Sequence, residues 1–373
     1  VLCMAACASP PNAKDTSTQE STERLFIIGQ DLGAIRGYMD SACCVAPDGM
    51  TAYVDFYEVL SEPDQYGGLG FDDHGQPYLD EATWGAGPVN AYLTATEYPV
   101  RYLAIGLSIT ENEHPGGLAR IANGEHDAEI AHLANFIAAL DTIVLLRIGY
   151  EFDGYWNAGY GNAPQYVAAF RRIVDGLRAA GTSNVQTVWQ GAASTTDMVL
   201  DNGRHDQIGD WYPGDDYVDW FGFSWFMEPD EQPGIDLPFA VLTPRELADE
   251  IVDMARERKK PVLIAEAAPQ GYDLRDRTTA HHVPIWDGEP GSDVRLLDNK
   301  TIWRNWFQPM FDYMAANDDV ILGFAYINAR WDDQPMWGPP YASGYWGDTR
   351  VEVNRDIGRW FNQAVRGWKE QRD

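Results

Sequence analysis

Eight short apolar segments rich in β-branched residues, helical patterns in most of the gaps, and polar or aromatic groups at the segments' C-terminal ends point to one fold. They predict an α/β chain folded as a single (β/α)8 (TIM) barrel with long βα loops, since strand alternating with helix requires parallel pairing. A chain of 373 residues suits one such barrel with loop insertions. An open doubly wound sheet is the alternative, but no Gly-rich phosphate loop follows the first strand.

Residues 1–23 are set apart from the barrel expected over 24–373. Val1–Pro11 reads as the cut end of an export signal, apolar and then small, followed by a polar tether to Glu23. Met4-Ala5-Ala6-Cys7 resembles a lipoprotein signal, which would put a lipid on Cys7 and anchor the chain to a membrane. A plain secretory signal is the alternative. Either implies a protein that is secreted or held in the cell envelope (periplasm, outer membrane or cell exterior), expected as a monomer.

The strands are expected at Leu25–Gln30, Ala52–Val59, Tyr102–Ser108, Thr142–Gly149, Val185–Gln190, Asp219–Trp225, Pro261–Ala265 and Val320–Ile327. Of these, Ala52–Val59 also fits a helix, and Asp31–Met50 has little helical periodicity. Helices are expected at Pro88–Glu97, Asp127–Leu140, Pro164–Ala180, Pro244–Arg258 and Thr301–Ala316. Pro164 and Pro244 suit a first helical turn, and Gly181 is a C-terminal stop.

A net charge of −30 argues against nucleic acid or anionic lipid surfaces as partners, which need a basic face. The four cysteines, Cys3, Cys7, Cys43 and Cys44, form neither a disulfide framework nor metal spacing. His281-His282 reads as a solvated pair without acidic or thiol partners at ligand spacing. No metal or cofactor is expected.

In such barrels chemistry sits at the strands' C-terminal ends. Those positions here carry Gln30, Asp31, His114, Glu151, Trp189, Gln190, Trp225, Glu266, Tyr326 and Trp331. Two of them, Glu151 after the fourth strand and Glu266 after the seventh, are carboxylic acids leaving buried segments on opposite sides of the mouth. Paired carboxyls of this kind cleave glycosidic bonds: one attacks the anomeric carbon and the other protonates the leaving oxygen. Arg147, four residues before Glu151, is placed to pair with Glu266, while a drier Glu151 keeps its proton. Tyr150 and Tyr326 are candidate donors to the nucleophile, and Asp153 is a candidate to orient Glu151 or bind a sugar hydroxyl. Trp156, Trp189, Trp225 and Trp331, with His114, Gln30, Asp31 and Gln190, complete the expected substrate contacts.

Arg147-Ile148-Gly149-Tyr150-Glu151-Phe152-Asp153-Gly154-Tyr155-Trp156 resembles the acid/base segment of glycoside hydrolase family 26, which reads Arg, two residues, His, Glu, Met, Asn, Gly and then aromatics. Tyr150 stands where that family has histidine, and Asp153 where it has asparagine. Pro261–Glu266 is similar to the nucleophile strand of clan A glycosidases. The resemblance implies a retaining enzyme with Glu151 as acid/base and Glu266 as nucleophile. The expected activity is internal cleavage of a polysaccharide or oligosaccharide, a β-mannan or related β-glycan. A marine or algal glycan (β-1,3-glucan, β-1,3-xylan or red-algal galactan) is the alternative substrate. A glycan-binding lipoprotein without catalysis is the alternative of another class.

Overall fold

The computed structural model describes residues 23–41, 44–61, 65–200, 204–231, 237–280, 291–342 and 344–370. Within them eight parallel strands close a barrel: β1 (Leu25–Gly29), β2 (Gly49–Asp55), β3 (Tyr102–Ser108), β4 (Ile143–Ile148), β5 (Val185–Gly191), β6 (Trp220–Trp225), β7 (Val262–Ala267) and β8 (Ile321–Ile327). Each strand pairs with its sequence neighbours, and β1 closes the circle on β8 with Leu25 opposite Gly323 and Gly29 opposite Ile327.

Helices coat the barrel: α1 (Leu32–Met39), α2 (Ala91–Thr96), α3 (Gly117–Ala122), α4 (Asp127–Ala138), α5 (Ala163–Ala179), α6 (Thr195–Leu200), α7 (Pro244–Arg258), α8 (Asn299–Ile302), α9 (Gln308–Ala316) and α10 (Arg355–Glu370). Local sequence sets their ends. The Asn162 side chain accepts from Gln165 N–H with Pro164 in the first turn, and Thr243 and Glu246 form a reciprocal capping box ahead of α7. Gly181 stops α5 at φ +76°. Tyr166, Ala169, Phe170, Ile173, Val174 and Leu177 form the buried stripe of α5.

Some boundaries differ from expectation. The second strand begins at Gly49 and ends at Asp55, because Asp55 caps a 3₁₀ turn over Phe56–Glu58 through Tyr57 N–H. Asp31–Met50 holds α1, an eight-residue helix whose cap is Asp31. Between α8 and α9 lies a π-helical turn, Trp303–Phe307, where Pro309 removes a backbone donor.

Alternation sorts the side chains into two layers. Leu25, Ile27, Ala104, Leu145, Val188, Leu263, Ala265 and Ala325 fill the barrel interior. Phe26, Ile28, Ile105, Leu146, Ile264 and Phe324 face the helices.

Candidate active site

Strand β7 departs from regular alternation where the site begins. Ile264 is opposite both Phe223 of β6 and Phe324 of β8, yet Ser224 is opposite Glu266 and Tyr326 is opposite Ala267. One extra residue in β7 makes a bulge at Ala265–Glu266. Strict alternation from the outward Ile264 would turn Glu266 outward as well; the bulge turns it inward.

Glu151 is delivered differently. After Ile148, Gly149 at φ +57° and Glu151 at φ +53° both take left-handed backbone. For a glutamate this conformation is strained, by about 1–3 kcal/mol. The surroundings hold it there. Tyr166 Oη donates to the carbonyls of Ile148 and Gly149, Gly154 N–H donates to Glu151 O at 2.8 Å, and Asn157 Nδ2 donates to the same oxygen at 3.0 Å. A Cβ on Gly149 would lie 2.7 Å from the Tyr166 ring, so glycine is needed there on two grounds.

Beside Glu266 lies Arg147, fully buried. Its Nη1 donates to Glu266 Oε1 and, at 3.0 Å, to Gln190 Oε1. The rings of Tyr53 and Tyr150 bracket the guanidinium with centroids 5.0 and 5.2 Å away. Tyr53 Oη donates to Glu266 Oε1 at 2.8 Å. Gly106 of β3 makes the room: a Cβ there would come within 2.7 Å of the Tyr53 ring and 2.8 Å of Arg147 Nη2. Onward from Gln190, Nε2 donates to Ser224 Oγ at 3.1 Å, and Ser224 Oγ donates to Glu151 Oε1 at 2.8 Å. Trp156 Nε1 donates to Glu151 Oε2 at 3.1 Å. One hydrogen-bonded chain therefore runs from Tyr53 through both carboxylates.

Burial raises the Glu151 pKa well above the usual carboxylate range, and the charge of Glu266 pushes it further in the same direction. This is the environment of a proton donor. Between the unfolded value of about 4.3 and the raised folded value, the native state keeps a proton that the unfolded chain has lost, so stability falls as pH rises. Glu151→Gln removes that dependence. In melts at pH 5 and pH 8 the variant should gain on the wild type at the higher pH. Curves that stay parallel would rule out a protonated Glu151.

The structure places the remaining sequence candidates as follows. Gln30 lies half-buried directly after β1. Tyr150 sits over Arg147, edge-on to Tyr53 at 5.5 Å, without a hydrogen bond to Glu266 in the structure. His114 lies 3.3 Å from Glu58 and stacks on Tyr57 at 4.5 Å, in the loop after β3.

Six expectations are corrected. Tyr326 points away from the mouth: Oη donates to Thr349 O at 2.6 Å and the ring packs on Phe361. Trp189 stacks on Phe152 at 4.4 Å, and Trp225 packs against Tyr313, both on the helix-facing side. Trp331 is buried, with Nε1 donating to Thr349 Oγ1, beneath the half-buried Trp337 and Trp346. Asp153 is buried, accepts from Ala192 N–H at 2.5 Å and holds the loop after β5. Asp31 caps α1 through Ala34 N–H and accepts from Gln334 Nε2.

Tyr53 and Ser224 were not anticipated. Alternation in Trp220–Trp225 puts Trp220, Gly222 and Ser224 inside and Phe221, Phe223 and Trp225 outside, which is the signal that finds Ser224. Tyr53 is found the same way once β2 is started at Gly49. Open aromatic surface belongs to Trp84, Tyr155 and Trp156. Among the described residues no group of acids, histidines and cysteines could hold a metal, and no helix is long and apolar enough to cross a membrane. Cys7, Cys43 and His281-His282 lie outside the described residues.

No family model matches the chain. It is 33% identical over 354 residues to the β-1,3-xylanase TXYA of Vibrio sp, covering 95% of this chain and 67% of that protein. It is 32% identical to a β-1,3-xylanase of Alcaligenes sp, covering 95% of this chain and 66% of that protein. The chain spans about two thirds of the length of these curated relatives. Among solved structures it is similar in fold to a glycoside hydrolase family 26 β-mannanase from Bacteroides ovatus, with a TM-score of 0.53 and 15% identity over 94% of this chain and 90% of that one.

Proposed function

Because the chain belongs to the family of the Vibrio β-1,3-xylanase, a clan A glycoside hydrolase related to family 26, we propose that it cuts internal β-1,3 linkages of a xylan with retention of configuration. The observation that carries the reading is the buried pair Glu151 and Glu266, joined through Arg147, Gln190 and Ser224 and placed at the ends of β4 and β7. Mannan, the first substrate expected from sequence, has support from likeness of fold alone, whereas the Vibrio and Alcaligenes relatives carry the xylanase name.

The geometry performs the reaction in two displacements. Glu266 attacks the anomeric carbon as the bond to the leaving oxygen breaks, and Glu151 gives that oxygen its proton. A glycosyl ester on Glu266 and a shortened chain result. Glu151, now a carboxylate, takes a proton from water, which attacks the same carbon and frees Glu266. Arg147 and Tyr53 stabilise the nucleophile's charge before attack and after release. Trp156, beside Glu151, and Trp84 offer faces for sugar rings to stack on. We place the enzyme outside the cytoplasm, where a polymer is reached, with a lipid on Cys7 as one means of retention at the envelope.

Incubation with β-1,3-xylan, β-1,4-xylan, β-mannan and β-1,3-glucan tests the reading. Release of xylo-oligosaccharides from β-1,3-xylan, with β-anomers appearing first by NMR, is expected. Preferential cleavage of another polymer overturns the substrate, initial α-anomers overturn retention, and binding without new reducing ends favours the non-catalytic reading.

A further inference from the structure

The hydrogen bonds leading to Glu151 have a forced direction. Arginine can only donate, so the Gln190 atom facing Arg147 Nη1 at 3.0 Å is the amide oxygen. The Gln190 nitrogen therefore faces Ser224, and since that N–H group can only donate, Ser224 Oγ accepts at 3.1 Å. A serine hydroxyl has a single proton, and the partner left for it is Glu151 Oε1 at 2.8 Å. Oε1 is thereby an acceptor whatever the charge of Glu151. Oε2 accepts in turn from Trp156 Nε1, so the two oxygens differ in surroundings: Oε1 faces the buried Ser224 and Oε2 the exposed Trp156.

From this we infer that Gln190 and Ser224 are positioning residues that carry the orientation of Arg147 to Glu151, hold its Oε1 against the barrel interior and leave Oε2 to exchange the catalytic proton. The inference rests on Glu151 being the acid/base. Oε2 is the oxygen beside Trp156 Nε1, on the side where Trp156 is 38% exposed and the mouth is open. The same arrangement serves both displacements. Oε2 releases its proton to the leaving oxygen in the first and recovers one from water in the second, while Oε1 stays bonded to Ser224 throughout. Sequence spacing gives no hint of this, since the three residues come from β4, β5 and β6 and meet through the barrel interior.

Other charges reach Glu151 from several directions: Glu266 on β7, Asp153 and Tyr150 on its own loop, and Arg147 beyond Glu266. None is altered by a change at Ser224, which isolates the serine bond. That bond favours the ionised form of Glu151, so its loss moves deprotonation to higher pH.

The test compares Ser224→Ala with wild type in pH profiles of kcat/KM, on the cut polymer and on a dinitrophenyl β-glycoside of the same sugar. In the variant the alkaline limb should move up by about one pH unit. Turnover of the polymer should fall about 10-fold or more, with a smaller loss on the aryl glycoside, whose leaving group needs no proton. Ser224→Thr, which keeps the hydroxyl, should return the limb to its wild-type position. Gln190→Leu, which frees the serine proton to turn, should move it in the same direction as Ser224→Ala. An alkaline limb that stays in place in Ser224→Ala, or equal losses on the two substrates, overturns the relay. Neither result touches the assignment of Glu151, which fails separately if Glu151→Ala keeps full activity on the polymer.

Discussion

Glu266→Ala is expected to lower kcat on the natural polymer by about 10⁵-fold or more. Without the carboxylate there is no nucleophile on that face of the sugar and no covalent intermediate to divide the reaction. Alanine leaves a space lined by Tyr53 Oη and Arg147 Nη1, the two donors that now meet Glu266 Oε1. A small anion fits such a space. With azide and a dinitrophenyl β-glycoside the variant should recover turnover and release the α-glycosyl azide, because azide attacks once from the nucleophile's side. Glu151→Ala should behave oppositely. Glu266 still forms the ester from the activated substrate, azide replaces water in the second displacement, and the product is the β-glycosyl azide. NMR of the two products separates the roles. Swapped stereochemistry would exchange the assignments, and wild-type turnover in Glu266→Ala would end them.

The two glutamates and the arginine were legible because each signal is local. Ile143–Leu146 and Val262–Ala265 are apolar runs that read as buried strands, and the charged residues that follow, Arg147 and Glu151 after the first and Glu266 after the second, stand out. The aromatics were misread for a physical reason. The inside of an eight-stranded barrel is just wide enough for side chains to fill; Gly106, Gly222 and Ser224 face inward while Trp189, Phe223, Trp225 and Tyr326 pack outward under the helices. Tyr53 apart, whose inward ring is accommodated by Gly106, the large flat residues at these strand ends belong to the outer layer and the small or polar ones to the site. Two further features lie beyond pattern reading. The bulge that turns Glu266 inward shows only in the pairing of β7 with both neighbours, and Tyr53 reaches Glu266 across 213 positions of sequence. Asp153 marks a third difficulty. A carboxylate two residues from a catalytic acid invites a catalytic role, yet its oxygen is taken up by Ala192 N–H.

Arg147→Met is the second change with a large expected effect, and it acts on stability as well as rate. Burial disfavours the guanidinium charge, but Tyr53 and Glu266 more than offset this and raise its pKa. Methionine fills much of the same volume without charge. It leaves the 5%-exposed Glu266 carboxylate without its cation and Gln190 Oε1 without this donor. Removing one member of a buried pair costs about 3–5 kcal/mol, a large share of the roughly 5–15 kcal/mol that holds a domain together. The denaturant midpoint should therefore drop well clear of wild type. Turnover should fall by about 10²–10³-fold, as when one preorganised donor is lost at a developing or departing charge. Arg147→Lys should lie between the two, since one ammonium cannot reproduce a planar fork shared by Glu266 and Gln190. The double variant Arg147→Met with Glu266→Gln decides the cause. If the stranded carboxylate is responsible, neutralising it should recover more than half of the lost stability. If the double variant is no more stable than Arg147→Met alone, the cost lies in packing between Tyr53 and Tyr150, and the pairing of Arg147 with Glu266 is not what holds this end of the barrel.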